Sequence, residues 1–392
     1  MAMVTLPPPP PTAPTINVRL VASLAGLVWL LAAAHARASE QPRNFRIAQQ
    51  GAIGEIVSEL SEADEERVGE LLRTAQTEID SENYAAAIAV YQEALGIDRD
   101  NPRLYSGIGY LQILQGDFQL AVESYRQAID RDSRNISFRY GLAHSLFQAE
   151  RYPEAADTYR AIIRMAPGEA DAYLGLGNML LRQQDYDPAL TALEEAARLA
   201  PNNVQIYEAI GLLYLQQERY DDALQPLQRA LRIDSSRGSI HGSLAKIWLH
   251  RGRHDQAEES LRRAVAANPQ DWESHYQLAQ LLQERGDLDA ALIHFEETVD
   301  ANSRFVPAQA ALGKMLLERE QYIRAVISYR EIVRQFPDDA GARYNLGLAL
   351  WGQGRQQAAR DAVQQSRRLY LDQDNETDAE RAEALLDSWE TE

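Results

Sequence analysis

The sequence predicts an all-α protein, a linear array of helix–turn–helix hairpins, and three observations carry that prediction. Written in rows of 34 from Val68, one column reads Ala87, Ala121, Ala155, Ala189, Ala223, Ala257, Ala291, Ala325 and Ala359 without exception. A second column reads Ala75, Gly109, Ala143, Gly177, Gly211, Ala245, Ala279, Gly313 and Gly347, so only the two smallest side chains occur there. Each row also holds two amphipathic stretches of about a dozen residues, with apolar positions three and four apart and a polar turn between them. Self-similarity at a fixed period marks an architecture in which each unit buries its apolar face against the next.

In chain order, the first element is an address rather than a fold. Residues 5–16 are proline-rich, and Leu20 to Ala34 form an apolar run of 15 residues that follows Arg19 and precedes Ala36-Arg37-Ala38. A basic residue, an apolar stretch and a small-x-small site make a secretory signal peptide, residues 1–38, cleaved after Ala38. The run is shorter than the roughly 20 residues that span a bilayer; the alternative is a retained anchor over residues 17–38. Residues 39–67 read as a linker and an acidic cap, with Glu55, Glu59, Glu62, Asp64, Glu65 and Glu66 placed where carboxylates favour the start of a helix.

Nine units follow, over residues 68–101, 102–135, 136–169, 170–203, 204–237, 238–271, 272–305, 306–339 and 340–373. Only Ala or Gly fits where two helices cross closely, which explains the two small columns. A third column of mostly large residues (Tyr84, Phe118, Tyr152, Tyr186, Tyr220, His254, Leu288, Tyr322, Gln356) plugs the gap beside each crossing. Gly116, Gly252, Gly286 and Gly354 fall in the hairpin turns, and Pro167, Pro201, Pro269 and Pro337 fall where a second helix must stop. Residues 374–392, with Ala382, Leu385, Leu386 and Trp389 at helical spacing, supply a closing helix.

Residues 170–203 carry Tyr173, Leu176, Gly177, Leu180, Tyr186, Ala189, Ala196 and Pro201 at the signature places of the tetratricopeptide repeat, and the chain resembles that family in nine contiguous copies. Departures sit at the ends: Thr74 and Glu78 blur the first unit, and the last ends Tyr370-Leu371 without proline. The resemblance implies a right-handed superhelical α-solenoid whose first helices line a concave groove that holds a partner's extended peptide or helix. The residues it directs into that groove are Tyr110, Tyr140, His144, Phe147, Asn178, Arg182, Tyr276, Gln280, Lys314, Tyr344 and Trp351. Aromatic rings and amides suit peptide recognition, although the same positions also suit inter-unit core, Phe147 and Trp351 above all. Two specialised groove types are missing: with only Lys246 and Lys314 the chain has no carboxylate clamp, and one asparagine (Asn345) in its column makes no asparagine ladder.

Composition and motifs narrow the function. At 392 residues, 45% hydrophobic and 25% charged, the chain is a folded protein, and with no cysteine it has no thiolate metal site or cysteine nucleophile. Its net charge of −19 and lack of a basic stripe argue against nucleic acid as a partner. His250 and His254 have zinc spacing, but Gly252 lies between them and the HExxH glutamate is absent, so no metal is expected. Gly107-Ile-Gly109 and Gly175-Leu-Gly177 lie within first helices with no preceding strand, so they are packing glycines rather than phosphate loops. His241 and His275, in a column often filled by tyrosine, read as packing residues. The expectation is a non-catalytic scaffold without cofactor or small-molecule substrate. It is exported to the periplasm or beyond, binds other proteins in assembly of an envelope or membrane complex, and touches membrane only if the N-terminal segment is retained. A holder of unfolded or translocating chains and an anchored regulatory subunit of an enzyme are the alternatives.

Overall fold

The computed structural model describes residues 60–390, so the expected signal peptide and most of the expected linker and acidic cap lie outside the described residues. These form two compact bodies, residues 60–235 and 236–390. The first holds α1 (Glu62–Asp80), α2 (Tyr84–Ile97), α3 (Pro102–Gln115), α4 (Phe118–Arg131), α5 (Ile136–Gln148), α6 (Tyr152–Met165), α7 (Ala170–Arg182), α8 (Tyr186–Leu199), α9 (Val204–Gln216) and α10 (Tyr220–Ile233). The second holds α11 (Gly238–His250), α12 (His254–Ala267), α13 (Trp272–Glu284), α14 (Leu288–Ala301), α15 (Val306–Glu318), α16 (Tyr322–Gln335), α17 (Ala340–Gly352), α18 (Gln356–Asp372) and α19 (Glu376–Glu390). No strand occurs among the described residues, and each body is an α-solenoid of hairpins.

Local chemistry sets the helix starts. The side chains of Asn101, Asn135, Asn203, Asp271 and Asp339 accept from backbone N–H groups of the first turn of α3, α5, α9, α13 and α17. Ser61 caps α1 in the same way, and Glu62, Asp64 and Glu65 stand in its first turn. The acidic lead-in therefore continues directly into the first helix.

The hairpin turns share one backbone feature at a fixed register. Glu82, Gly116, Glu150, Gln184, Glu218, Gly252, Gly286, Glu320 and Gly354 all have φ between 57° and 83°. Glycine adopts this left-handed conformation without cost, whereas an L side chain pays roughly 1–2 kcal/mol. Five of the nine turns pay it. Glu218→Gly is accordingly expected to stabilise the first body by about 1 kcal/mol, part of the relief being offset by the extra backbone entropy of glycine in the unfolded chain. A urea midpoint unchanged or lowered in Glu218→Gly refutes this account of the turn.

The core follows the columns. All nine column alanines from Ala87 to Ala359 are 0% exposed. A Cβ on Gly177 would lie 2.6 Å from Leu193 Cγ, and one on Gly347 2.4 Å from Val363 Cγ2, so the second helix of the same hairpin demands glycine there. A second set of glycines serves the junction between units. Cβ atoms on Gly107, Gly141 and Gly175 would fall 2.5, 2.3 and 2.4 Å from the rings of Tyr91, Tyr125 and Tyr159, each in the second helix of the preceding unit. Where that second-helix residue is Leu193, the facing position is Ala209.

At the end of the second body, α19 buries Ala379, Ala382, Leu385 and Trp389. Trp389 stacks on Trp351 with ring centroids 4.2 Å apart and planes 2° apart, and Arg360 donates to the Trp389 carbonyl at 2.7 Å.

Candidate partner-binding face

Successive first helices approach one another within each body, α3 with α5, α7 with α9, and α15 with α17, whereas successive second helices do not approach to the same extent. Each body therefore curves with its first helices on the inner side. Their side chains, one turn apart along each helix and one unit apart across helices, form a continuous face.

The structure separates the eleven expected face residues into three groups. One, Tyr140, is core, in correction of the expectation, and Trp351 is half-buried under the closing helix. Tyr140 is 2% exposed, its ring edge-on to Tyr159 at 6.2 Å and its hydroxyl without a partner. The side chain leans onto the Tyr159 ring of α6 rather than outward. Trp351 is covered by Trp389 of the closing helix, which takes the place a following unit would occupy.

The second group is half-buried. Phe147 packs against Tyr152, with the Arg182 guanidinium 5.6 Å from its ring centre. Tyr110 and Asn178 are half-buried on α3 and α7. His144 lies between them on α5, and burial pushes its imidazole down to about 4, so it is a neutral ring at physiological pH.

The third group lies within the second body and holds the two residues of the eleven that are exposed, Gln280 and Lys314, beside two half-buried tyrosines. Tyr276 meets Phe305 edge-on at 4.9 Å, and Gln280, exposed, donates to its hydroxyl at 3.2 Å. Lys314 is exposed with Glu318 3.9 Å away, and Tyr344 is half-buried on α17. An amide, an ammonium and two phenols on consecutive first helices can hydrogen-bond the backbone of an extended segment while the rings cover its apolar side chains.

Two features of this body escaped sequence reasoning. Lys246 on α11 and Glu273 on α13 pair at 4.0 Å with the Glu273 side chain 13% exposed. Burial pushes the Glu273 carboxyl up to about 8 against the pull of Lys246, and burial likewise lowers Lys246. His275 and His294 bring their Nδ1 atoms within 3.0 Å, so one donates to the other, and His275 Nε2 is buried without a partner. Burial, the neighbouring His275 and Arg262 push His294 down to about 4, and burial also lowers His275. These residues stand 27 and 19 positions apart, where no column of the repeat links them.

Comparison with known proteins agrees with the architecture. The family model described as the cilia and flagella-associated protein 70 C-terminal domain matches residues 100–311, a TPR repeat model matches residues 75–116, and a tetratricopeptide repeat model matches residues 310–376. No curated protein sequence matches the chain. Among solved structures, the APC/C hetero-tetramer Cut9-Hcn1 is similar at 17% identity and TM-score 0.49, over 71% of this chain and 55% of that one, so the match takes in about half of its length. Pseudomonas aeruginosa pilF is similar at 20% identity and TM-score 0.46, over 53% of this chain and 93% of that one. A tetratricopeptide repeat protein from Parabacteroides merdae is similar at 17% identity and TM-score 0.47, over 64% and 99%. With the first family model spanning more than half of the chain and repeat models matching on either side, the protein belongs to the tetratricopeptide-repeat family.

Proposed function

We propose that this protein is an exported, non-catalytic adaptor that holds a partner's extended segment against its first helices during assembly of an envelope complex. Members of its family are typically scaffolds for protein interaction, and the repeat architecture supports that role in general. The observation that carries the finer reading is the set Tyr276, Gln280, Lys314 and Tyr344 on three consecutive first helices of the second body, with Gln280 and Lys314 exposed and the two tyrosines half-buried. Export rests on the N-terminal pattern: a leader cut after Ala38 delivers a chain whose mature start is Ser39.

The test is recovery of the full chain, tagged at its C-terminus, from the cells that make it. A variant carrying Tyr276→Ala, Tyr344→Ala and Lys314→Glu is run beside it. The expected result is a small fixed set of envelope proteins bound to wild type and reduced roughly tenfold or more in the variant, as for substitution of interface anchors, with an N-terminus at Ser39. Retention of the same set by the variant refutes the first-helix face. Diffuse recovery of unrelated chains identifies a holder of unfolded proteins instead. A retained N-terminus refutes the cleaved leader and leaves the binding face to be judged by the variant alone.

A further inference from the structure

The middle of each second helix is a solvated position, and its column reads Ala89, Glu123, Asp157, Thr191, Gln225, Glu259, Ile293, Ile327 and Asp361. Two isoleucines stand together in adjacent units, on α14 and α16. One turn before Ile327 is Ile323, in a column that otherwise holds Ala85, Gln119, Pro153, four aspartates (Asp187, Asp221, Asp255, Asp289) and Gln357. Ile293 is 56% exposed, and Ile323 and Ile327 are each 65% exposed. The two helices present one contiguous surface, since Arg324 of α16 is ion-paired with Glu296 of α14. A cluster of exposed β-branched side chains where the rest of the array places polar ones marks a contact surface.

The charges around the cluster say what covers it. Helix α14 carries Asp289, Glu296, Glu297 and Asp300 and neither lysine nor arginine, whereas α16 carries Arg324, Arg330 and Arg334 against Glu331. Arg324 is already paired with Glu296 and Arg334 with Glu331, so the charges left to meet a partner are Glu297 and Asp300 on α14 and Arg330 on α16, and the isoleucines straddle a seam between an acidic and a basic helix. We propose that this face is a two-fold interface with a second copy of the chain. Rotation by 180° about an axis through the isoleucines lays α14 of one copy on α16 of the other, and α16 on α14. Each acidic helix then meets a basic one, and the apolar residues close on themselves. A uniformly basic partner would be drawn to the whole of this chain of net charge −19 and would be repelled by α16. The split pattern is complementary to itself. Two helices of 14 residues, each about 21 Å long, give a patch at the small end of specific interfaces, so the dimer forms and dissociates with protein concentration.

The absence of cysteine provides a clean test, because a single introduced thiol has no competitor. In the full chain, Ile327 of one copy meets Ile293 of the other, so an equimolar mixture of Ile327→Cys and Ile293→Cys is expected to oxidise to a disulfide-linked dimer in most of the molecules, while a mixture of Glu123→Cys, the equivalent position of another unit, with Ile293→Cys remains monomeric. Adding Arg330→Glu to both chains, or Glu297→Arg to both, places like charges across both halves of the contact and is expected to lower the cross-linked fraction roughly tenfold. Pairing Ile327→Cys with Arg330→Glu in one chain and Ile293→Cys with Glu297→Arg in the other restores it, since acidic and basic sides again meet. Circular dichroism confirms that each variant keeps its helices. The proposal is overturned if the Ile327→Cys and Ile293→Cys mixture stays monomeric, if the Glu123→Cys mixture cross-links equally, if the thiols are captured by a different protein, or if the charge-exchanged pair stays monomeric.

Discussion

Gly175→Ala is expected to destabilise the first body by about 3 kcal/mol, and adding Tyr159→Leu is expected to recover most of the loss. A methyl group at Gly175 would lie 2.4 Å from both Cε1 and Cζ of Tyr159, a ring that is 8% exposed and lies edge-on to Tyr140, so it has nowhere to swing. Overpacking of this kind typically costs 1–3 kcal/mol, and more where neither neighbour can yield. The chain contains the solution to the clash, since Leu193 faces Ala209 across the next junction. Transplanting that pair one unit back exchanges a tyrosine–glycine contact for a leucine–alanine contact of similar volume. A double-mutant cycle read from urea midpoints should therefore give an interaction of about 2 kcal/mol between the two positions, in the range of residues in contact. Additive effects, or a Gly175→Ala variant within about 0.5 kcal/mol of wild type, would remove the junction glycines from the account of how units stack.

That junction shows how far the sequence was legible. The period of 34, the alanine column and the Ala/Gly column are visible because every copy repeats the same crossing, and all nine alanines are indeed fully buried. Glycine in the turns was readable at Gly116, Gly252, Gly286 and Gly354; only the register places Glu82, Glu150, Gln184, Glu218 and Glu320 in the same left-handed conformation, since nothing in their chemistry asks for it. Individual face residues were harder. Tyr140 and Tyr276 occupy the same place in their units, yet one is core and the other half-buried. What differs is the neighbour each leans on, Tyr159 beside Gly175 in one case and Phe295 and Phe305 in the other. Trp351 depended on a helix outside the repeats, and the partners of Lys246 and His294 on turns of helix that periodicity does not align. Columns report what all units share, whereas a binding face is built from what they do not.

Three buried or half-buried imidazoles make the second large effect one of pH. His144 and His294 each titrate near 4 in the folded chain because burial disfavours their charged forms, and His275 is lowered as well. In the unfolded chain all three return to about 6.5. The unfolded state therefore binds more protons between these values, so the stability these rings contribute is complete above pH 6.5 and is lost as pH falls from 6.5 towards 4. Glu273 acts with the opposite sign: its raised value means that the folded state takes up its proton first, so its contribution grows as pH falls from about 8 towards 4. The comparison must accordingly be made between wild type and histidine variants. In the second body, His275 and His294 share a single hydrogen bond, and protonating the pair breaks it and places cations side by side near Arg262. Wild type is expected to lose about 2 kcal/mol more than His294→Gln on going from pH 7.5 to pH 4.5, after allowance for solvent reaching the half-exposed ring. Hydrogen exchange should locate the loss in α13 and α14. Parallel pH profiles for the two proteins would mean that the ring pair is charged or hydrated in the folded chain.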